Sequence, residues 1–186
     1  TAHGIDMLIF WIIFFEIAIL HFCSSTLLRC RIATPKIAWL GFALMVIGSV
    51  LNNVAVFRGG SSVMMTSYVP MMAEPSFYLG IILFAVGALI GCFVFFGTLV
   101  VARREKTYEG SIPLVTFGAL TAAIIAVFTL LSGAMIIVPA WLMSLGLMTV
   151  DPLIYRTVWW ALGHSSQQIN VAAHVSVWYL VAAIAL

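Results

Sequence analysis

Five apolar stretches, each at least as long as the roughly 20 residues a helix needs to cross a bilayer core, leave this chain few ways to fold. They cover about 4–28, 37–57, 77–101, 112–143 and 153–186. Only helices and closed barrels satisfy their backbone polar groups in lipid. The stretches lack the two-residue alternation and the segments of roughly ten residues that mark barrel strands. The expected fold class is therefore all-α, a polytopic membrane helix bundle with five transmembrane helices in a single region, 1–186. Composition agrees: 64% of the 186 residues are hydrophobic and 8% charged, with a mean hydropathy of +1.20, far from a soluble domain. Eight basic and six acidic residues give no basic field for a nucleic acid, so membrane lipid is the expected surrounding.

The position of the charges matters more than their sum. The connection after the first stretch carries Arg29, Arg31 and Lys36, and the one after the third carries Arg103, Arg104 and Lys106. The alternate connections hold only Arg58 and Arg156. Basic residues gather on the inner side of a membrane, so the first, third and fifth helices are expected to run inward and the N-terminus to lie outside. A bacterial or archaeal cytoplasmic membrane suits such a chain. Thr1 follows no basic leader, and Ala185-Leu186 stands inside an apolar run, so truncation of a longer polypeptide is expected at both ends. Cys23, Cys30 and Cys92 show no metal-ligand spacing and read as packing residues. Met64, Met65, Met71 and Met72, in the outer connection, have no Cys or His beside them, and that segment reads as structural. Asp151-Pro152 is a helix start, a capping residue followed by proline in the first turn.

Polar side chains inside lipid are costly unless paired, so each is a candidate functional group. They are His3, Asp6, Glu16 and His21 in the first stretch, Asn52 and Asn53 in the second, and "WWALGHSSQQIN" (159–170) with His174 in the fifth. At the helical rise, His3 lies roughly 38 Å above Leu28 and His164 roughly 20 Å below Asp151, which puts both in the outer half of the membrane. His164 and Gln168 share one helix face at i, i+4. A neutral imidazole ligates copper, iron or zinc, and an amide is a hydrogen-bond partner beside such a site. Interhelical hydrogen bonding explains the same cluster equally simply. Glu16, a carboxyl without an evident counter-charge, is a candidate proton carrier; bonding to a neighbouring helix is the plainer explanation. Asp6 reads as an interfacial carboxylate, and His21 and His174 as packing or polar-contact residues.

"TAHGIDMLIF" at the start and "VWWALGHSSQQIN" near the end resemble two motifs of the catalytic subunit of the heme–copper oxidase superfamily, which includes terminal oxidases and nitric oxide reductases. The resemblance spans essentially the whole chain as helices two to six of a subunit of about twelve, with three helices between the two histidine helices and the matching orientation. It implies that His3 is an axial ligand of a low-spin heme. It further implies that His164 is one ligand of a non-heme metal, copper or iron, opposite a high-spin heme. Electrons would pass from a cytochrome c-like or cupredoxin-like donor subunit through the low-spin heme to this pair, which reduces a small gas, NO or O₂. The remaining ligands would come from the remainder of the catalytic subunit.

The sequence also departs from the family. Many oxygen reductases carry a tyrosine four residues after the metal histidine, and typical nitric oxide reductases a glutamate near that place. This chain has Gln168, which keeps the shape of glutamate but cannot ionise. The expectation is a divergent nitric oxide reductase-like respiratory reductase, with Gln168 and Glu16 as catalytic candidates, and a proton-pumping cytochrome oxidase as the alternative. A non-catalytic heme-binding electron-transfer anchor, or a transporter using Glu16 and Asn52-Asn53, is the competing class.

Overall fold

The computed structural model describes residues 1–185 and consists of five long helices without a strand among them. They are α1 (Ala2–Thr26), α2 (Pro35–Phe57), α3 (Pro75–Glu105), α4 (Leu114–Ser144) and α5 (Pro152–Ala185). All five are long and apolar enough to cross a membrane, as the sequence leads one to expect. The final residue of the fifth expected stretch, Leu186, lies outside the described residues.

The helix ends follow local chemistry. Proline opens α2, α3 and α5 in the first turn, where its missing N–H costs nothing. Asp151 caps α5, its Oδ1 accepting from the N–H groups of Leu153 and Ile154 at 2.9 Å. α3 runs past its apolar stretch to Glu105, because Arg103 and Arg104 stabilise the last turn by facing its negative dipole end. Lys106 then adopts the left-handed conformation (φ 52°) and Thr107 N–H reaches back to the Ala102 carbonyl at 3.1 Å. This is a Schellman ending made without glycine. Two wide π-helical segments, Asp6–Trp11 and Phe22–Thr26, interrupt α1.

The closest packing joins α2 to α3. Gly41 and Gly48 meet Gly87 and Gly80, and a methyl built on Gly48 would stand 2.5 Å from the Gly80 carbonyl oxygen. With no side chain between them, the two backbones approach as membrane helices with small-residue faces do. Asn52, fully buried, closes the contact by donating from Nδ2 to the Phe77 carbonyl at 3.0 Å. Asn52 is thereby used in packing rather than along a substrate path. α4 packs along α5 and against α3, and α1 lies against α3, α4 and α5.

The 58–74 connection is built into the bundle. Ser61 and Ala73 form an antiparallel bridge, Val63 and Val69 are buried, and Glu74 N–H bonds the Gly60 carbonyl at 2.7 Å. It holds two helices: Thr1 Oγ1 donates to the Val63 carbonyl at 2.7 Å, and Tyr155 Oη donates to the Thr66 carbonyl at 3.2 Å. Tyr68 packs edge-on against Tyr155 and Trp159. The first turn of α1, which carries His3, and the first two turns of α5, which precede His164, are thus anchored to one loop.

Candidate functional site

His3 sits in the first turn of α1, exposed, beside Gly4, against which Met65 of the connection packs. The next residues are committed elsewhere. Ile5 is fully buried, and Asp6 accepts a 2.7 Å hydrogen bond from Nδ2 of Asn53 on α2. The Asp6 carboxylate therefore fixes α1 to α2, and His3 is left without a hydrogen-bond partner among the described residues.

On α5 the polar cluster separates into two faces. Tyr155, Trp159, Gly163, Ile169, Ala173 and Ser176 are buried and form the stripe that packs on the bundle. Ser165 belongs to the packing side: Oγ of Thr129 on α4 donates to it at 2.8 Å, and it donates in turn to the Ala161 carbonyl. Ser166 bonds the Gly163 carbonyl at 2.8 Å. His164, Gln167 and Gln168 point the other way and are exposed, with no hydrogen bond to any described residue. Interhelical bonding therefore accounts for Ser165 but not for His164 and Gln168.

A metal needs several donors, and among the described residues no three His, Cys, Asp or Glu side chains come together in a metal-binding group. One imidazole with an amide one turn away fits the contribution of a single ligand to a shared site. The outer methionines form no packed cluster: Met64, Met71 and Met72 are all exposed.

Glu16 is buried on α1 with its Oε1 lacking a hydrogen-bond partner among the described residues, so within them the plainer expectation of a bond to a neighbouring helix does not describe it. It lines a cavity of about 110 Å³ enclosed by α1, α3, α4 and α5, whose other polar side chains are Thr129, Ser166 and Asn170. It also lines a second cavity, of about 220 Å³, between α1 and α5. His21, one turn deeper, is half-buried with Nδ1 unpartnered. Sequence spacing on α5 drew attention to the face of His164 and Gln168. Ser166, Asn170 and His174, named there only singly or as packing residues, form a second polar stripe at four-residue steps, readable from the same i, i+4 rule.

The chain is similar to known proteins along nearly its whole length. The family model described as "Cytochrome C and Quinol oxidase polypeptide I" matches residues 1–185. Cytochrome c oxidase subunit 1 of Thermus thermophilus is 29% identical over 170 residues, covering 88% of this chain and 29% of that protein. A chain in a cryo-EM structure of a heme-copper terminal oxidase dimer superposes with a TM-score of 0.87 at 26% identity, covering 94% of this chain and 30% of the other. The chain thus spans a little under a third of the length of each of these relatives.

Proposed function

The chain belongs to the cytochrome c and quinol oxidase polypeptide I family, the catalytic subunits of heme–copper oxidases, and from that premise we propose that it is a membrane-bound respiratory reductase of small oxidant gases. The observation that carries this reading is that His164 and Gln168 stand together, exposed and unpartnered, on a transmembrane helix. Lipid gives such groups nothing to bond, so their neighbour is a site completed by further parts of the subunit. His3, left free while Asp6 and Ile5 anchor the turn around it, would hold a low-spin heme. His164 is one ligand of a non-heme copper or iron.

The hemes and the metal, when bound, supply the electron transfer and the reduction of the gas. The residues of this chain set ligation, position and proton access. The α5 packing stripe and the Tyr155–Thr66 contact hold the helix that presents His164. Gln168, one turn below, offers an amide that donates and accepts hydrogen bonds without changing charge. Glu16, a buried carboxyl without a hydrogen-bond partner among the described residues that lines the cavity enclosed by α1, α3, α4 and α5, takes up and passes on protons. The donor is a cytochrome c-like or cupredoxin-like subunit, and the Arg29, Arg31, Arg103 and Arg104 end of the bundle faces inward.

Oxygen is the first substrate, because both relatives are described as oxidases. Nitric oxide is the second reading, favoured by Gln168 standing where many oxygen reductases carry tyrosine. In the purified full-length complex, His164→Ala is expected to abolish the non-heme metal and gas consumption while sparing the low-spin heme, whose ligand lies on α1. Metal analysis, heme spectra and parallel O₂ and NO consumption assays check this. Unchanged metal content would reject the assignment of His164, and the faster gas identifies the substrate.

A further inference from the structure

Asp6 closes the turn that carries His3 and is fixed to a second helix as it does so. Its backbone N–H donates to the carbonyls of Ala2 and His3, which ties it to the main chain of the exposed histidine. Its side chain leaves α1: Oδ1 accepts the 2.7 Å hydrogen bond from Nδ2 of Asn53, and the same Nδ2 donates to the Ser49 carbonyl at 3.1 Å, within α2. The Oδ1 of Asn53 is buried without a hydrogen-bond partner among the described residues. A protonated Asp6 would carry an O–H able to donate to that oxygen, so the pair is an amide donor on an ionised carboxylate. The charge has no counter-ion beside it. The ion pair among the described residues is Arg31–Glu105, at the opposite end of the bundle, and the outer cations Arg58 and Arg156 are both exposed. Residues three apart on a helix are surface neighbours, so a fixed negative charge stands one turn below His3.

We propose that Asp6, locked in place by Asn53, is a positioning residue for His3 and lowers the reduction potential of the low-spin heme that His3 would hold. The proposal rests on the reading of His3 given above. Two effects act together. The main-chain bonds of Asp6 and its tie to α2 fix the rotation of the turn from below, while Thr1 Oγ1 on the Val63 carbonyl fixes it from above, so the imidazole is presented in one orientation. The carboxylate also acts through space. Oxidised iron carries one more positive charge than reduced iron, and a nearby negative charge favours the oxidised state, one of the levers by which a protein tunes such a centre. One elementary charge acting over roughly 10 Å at an effective dielectric constant of about 20 displaces an equilibrium about tenfold. No other side chain can supply this charge from α1, because Asp6 is the one acidic residue between Thr1 and Phe15. Asn53 matters because a carboxylate free to turn into water would be screened.

The test is a redox titration of the purified full-length complex, followed by the low-spin heme absorbance, for Asp6→Asn, Asp6→Glu, Asn53→Ala, the Asp6→Asn/Asn53→Ala pair and His3→Ala. Asp6→Asn keeps the shape and an oxygen acceptor for Asn53 but removes the charge. Heme content and the low-spin ferric EPR signal should persist, and the equilibrium should move about tenfold toward the reduced form, a rise of about 59 mV for a one-electron couple. Asp6→Glu keeps the charge and should return the potential toward that of the parent. Asn53→Ala frees the carboxylate and should raise the potential by less, and the double variant should rise no further than Asp6→Asn. A residue that served packing alone would leave the potential of Asp6→Asn unchanged, and that result overturns the proposal. If Asp6→Asn fails to assemble with heme, Asn53→Ala decides, an unchanged potential there overturning it. The reading of His3 is judged apart: a low-spin signal retained in His3→Ala defeats that reading and the proposal with it, whereas an unmoved potential in Asp6→Asn defeats the proposal alone.

Discussion

Gln168 is the side chain at which the two substrate readings part. It stands on the open face of α5, one turn from His164, with no hydrogen bond holding it in the bundle, so its amide is free to meet whatever occupies the space beside it. Gln168→Leu keeps approximate volume but removes both donor and acceptor. Metal content should survive, and turnover should fall by roughly 10–100-fold, as when an outer hydrogen bond to a metal site is lost. Gln168→Glu preserves the shape and adds a charge, so it should maintain or raise NO consumption if this chain is of the nitric oxide-reducing kind, and depress O₂ consumption if it is not. Steady-state rates with both gases check this; equal loss of metal in Gln168→Leu and His164→Ala would instead make Gln168 a direct ligand. That His164 and Gln168 share one helix face was legible from i, i+4 spacing alone. The tie of Asp6 to Asn53 was not, because it joins residues 47 apart on two helices.

The helices themselves were largely legible, since each must supply its own hydrogen bonds and enough apolar length. Their ends moved by a few residues wherever a cap, not hydropathy, decides the boundary. Thus α3 continues through Arg103 and Arg104 until Lys106 turns left-handed. The pairing of α2 with α3 was also written in the sequence, as glycines seven apart on both helices, Gly41 and Gly48 against Gly80 and Gly87. That signal needs the two stripes to be read together. Backbone atoms, not flexible side chains, occupy the space opposite Gly48, so they cannot yield to an inserted side chain. Gly48→Val should therefore destabilise the bundle by about 1–3 kcal/mol or more, the cost of overpacking a close contact. By contrast, a methyl on Gly59 meets no atom within 4 Å, so Gly59→Ala tests only its positive φ of 80° and should cost less. Thermal inactivation of the purified complex, read by loss of the heme spectrum, compares the two; equal Tm values would show that the α2–α3 approach is looser than the structure has it.

The five helices do not close on themselves. In their most apolar windows α3 and α4 are each 44% buried, but α1 is 22% and α5 17%. The open side of α5 carries His164, Gln167, Gln168 and His174, which lipid cannot satisfy. On the proposed reading that face meets further parts of the subunit, and the chain spans a little under a third of its relatives' length. Orientation fixes which end of the bundle meets which water phase, and Cys30 reports it. This thiol lies between Arg29 and Arg31 at the end of the bundle where Arg31 pairs with Glu105 at 3.0 Å. It is only partly buried, whereas Cys23 and Cys92 are buried. Burial first, and Glu105 second, push the Cys30 thiol above its ordinary value, with Arg31 opposing them. Since thiolate is the reactive form, labelling by an impermeant maleimide should be slow at neutral pH and accelerate as pH rises. Glu105→Gln removes one of the causes and should bring that acceleration to lower pH. With the basic connections inside, the label should reach Cys30 in inverted vesicles and not in right-side-out ones, with Cys30→Ser as the blank, while Arg58→Cys should show the opposite pattern. Labelling of Cys30 from the outer side would reverse the orientation.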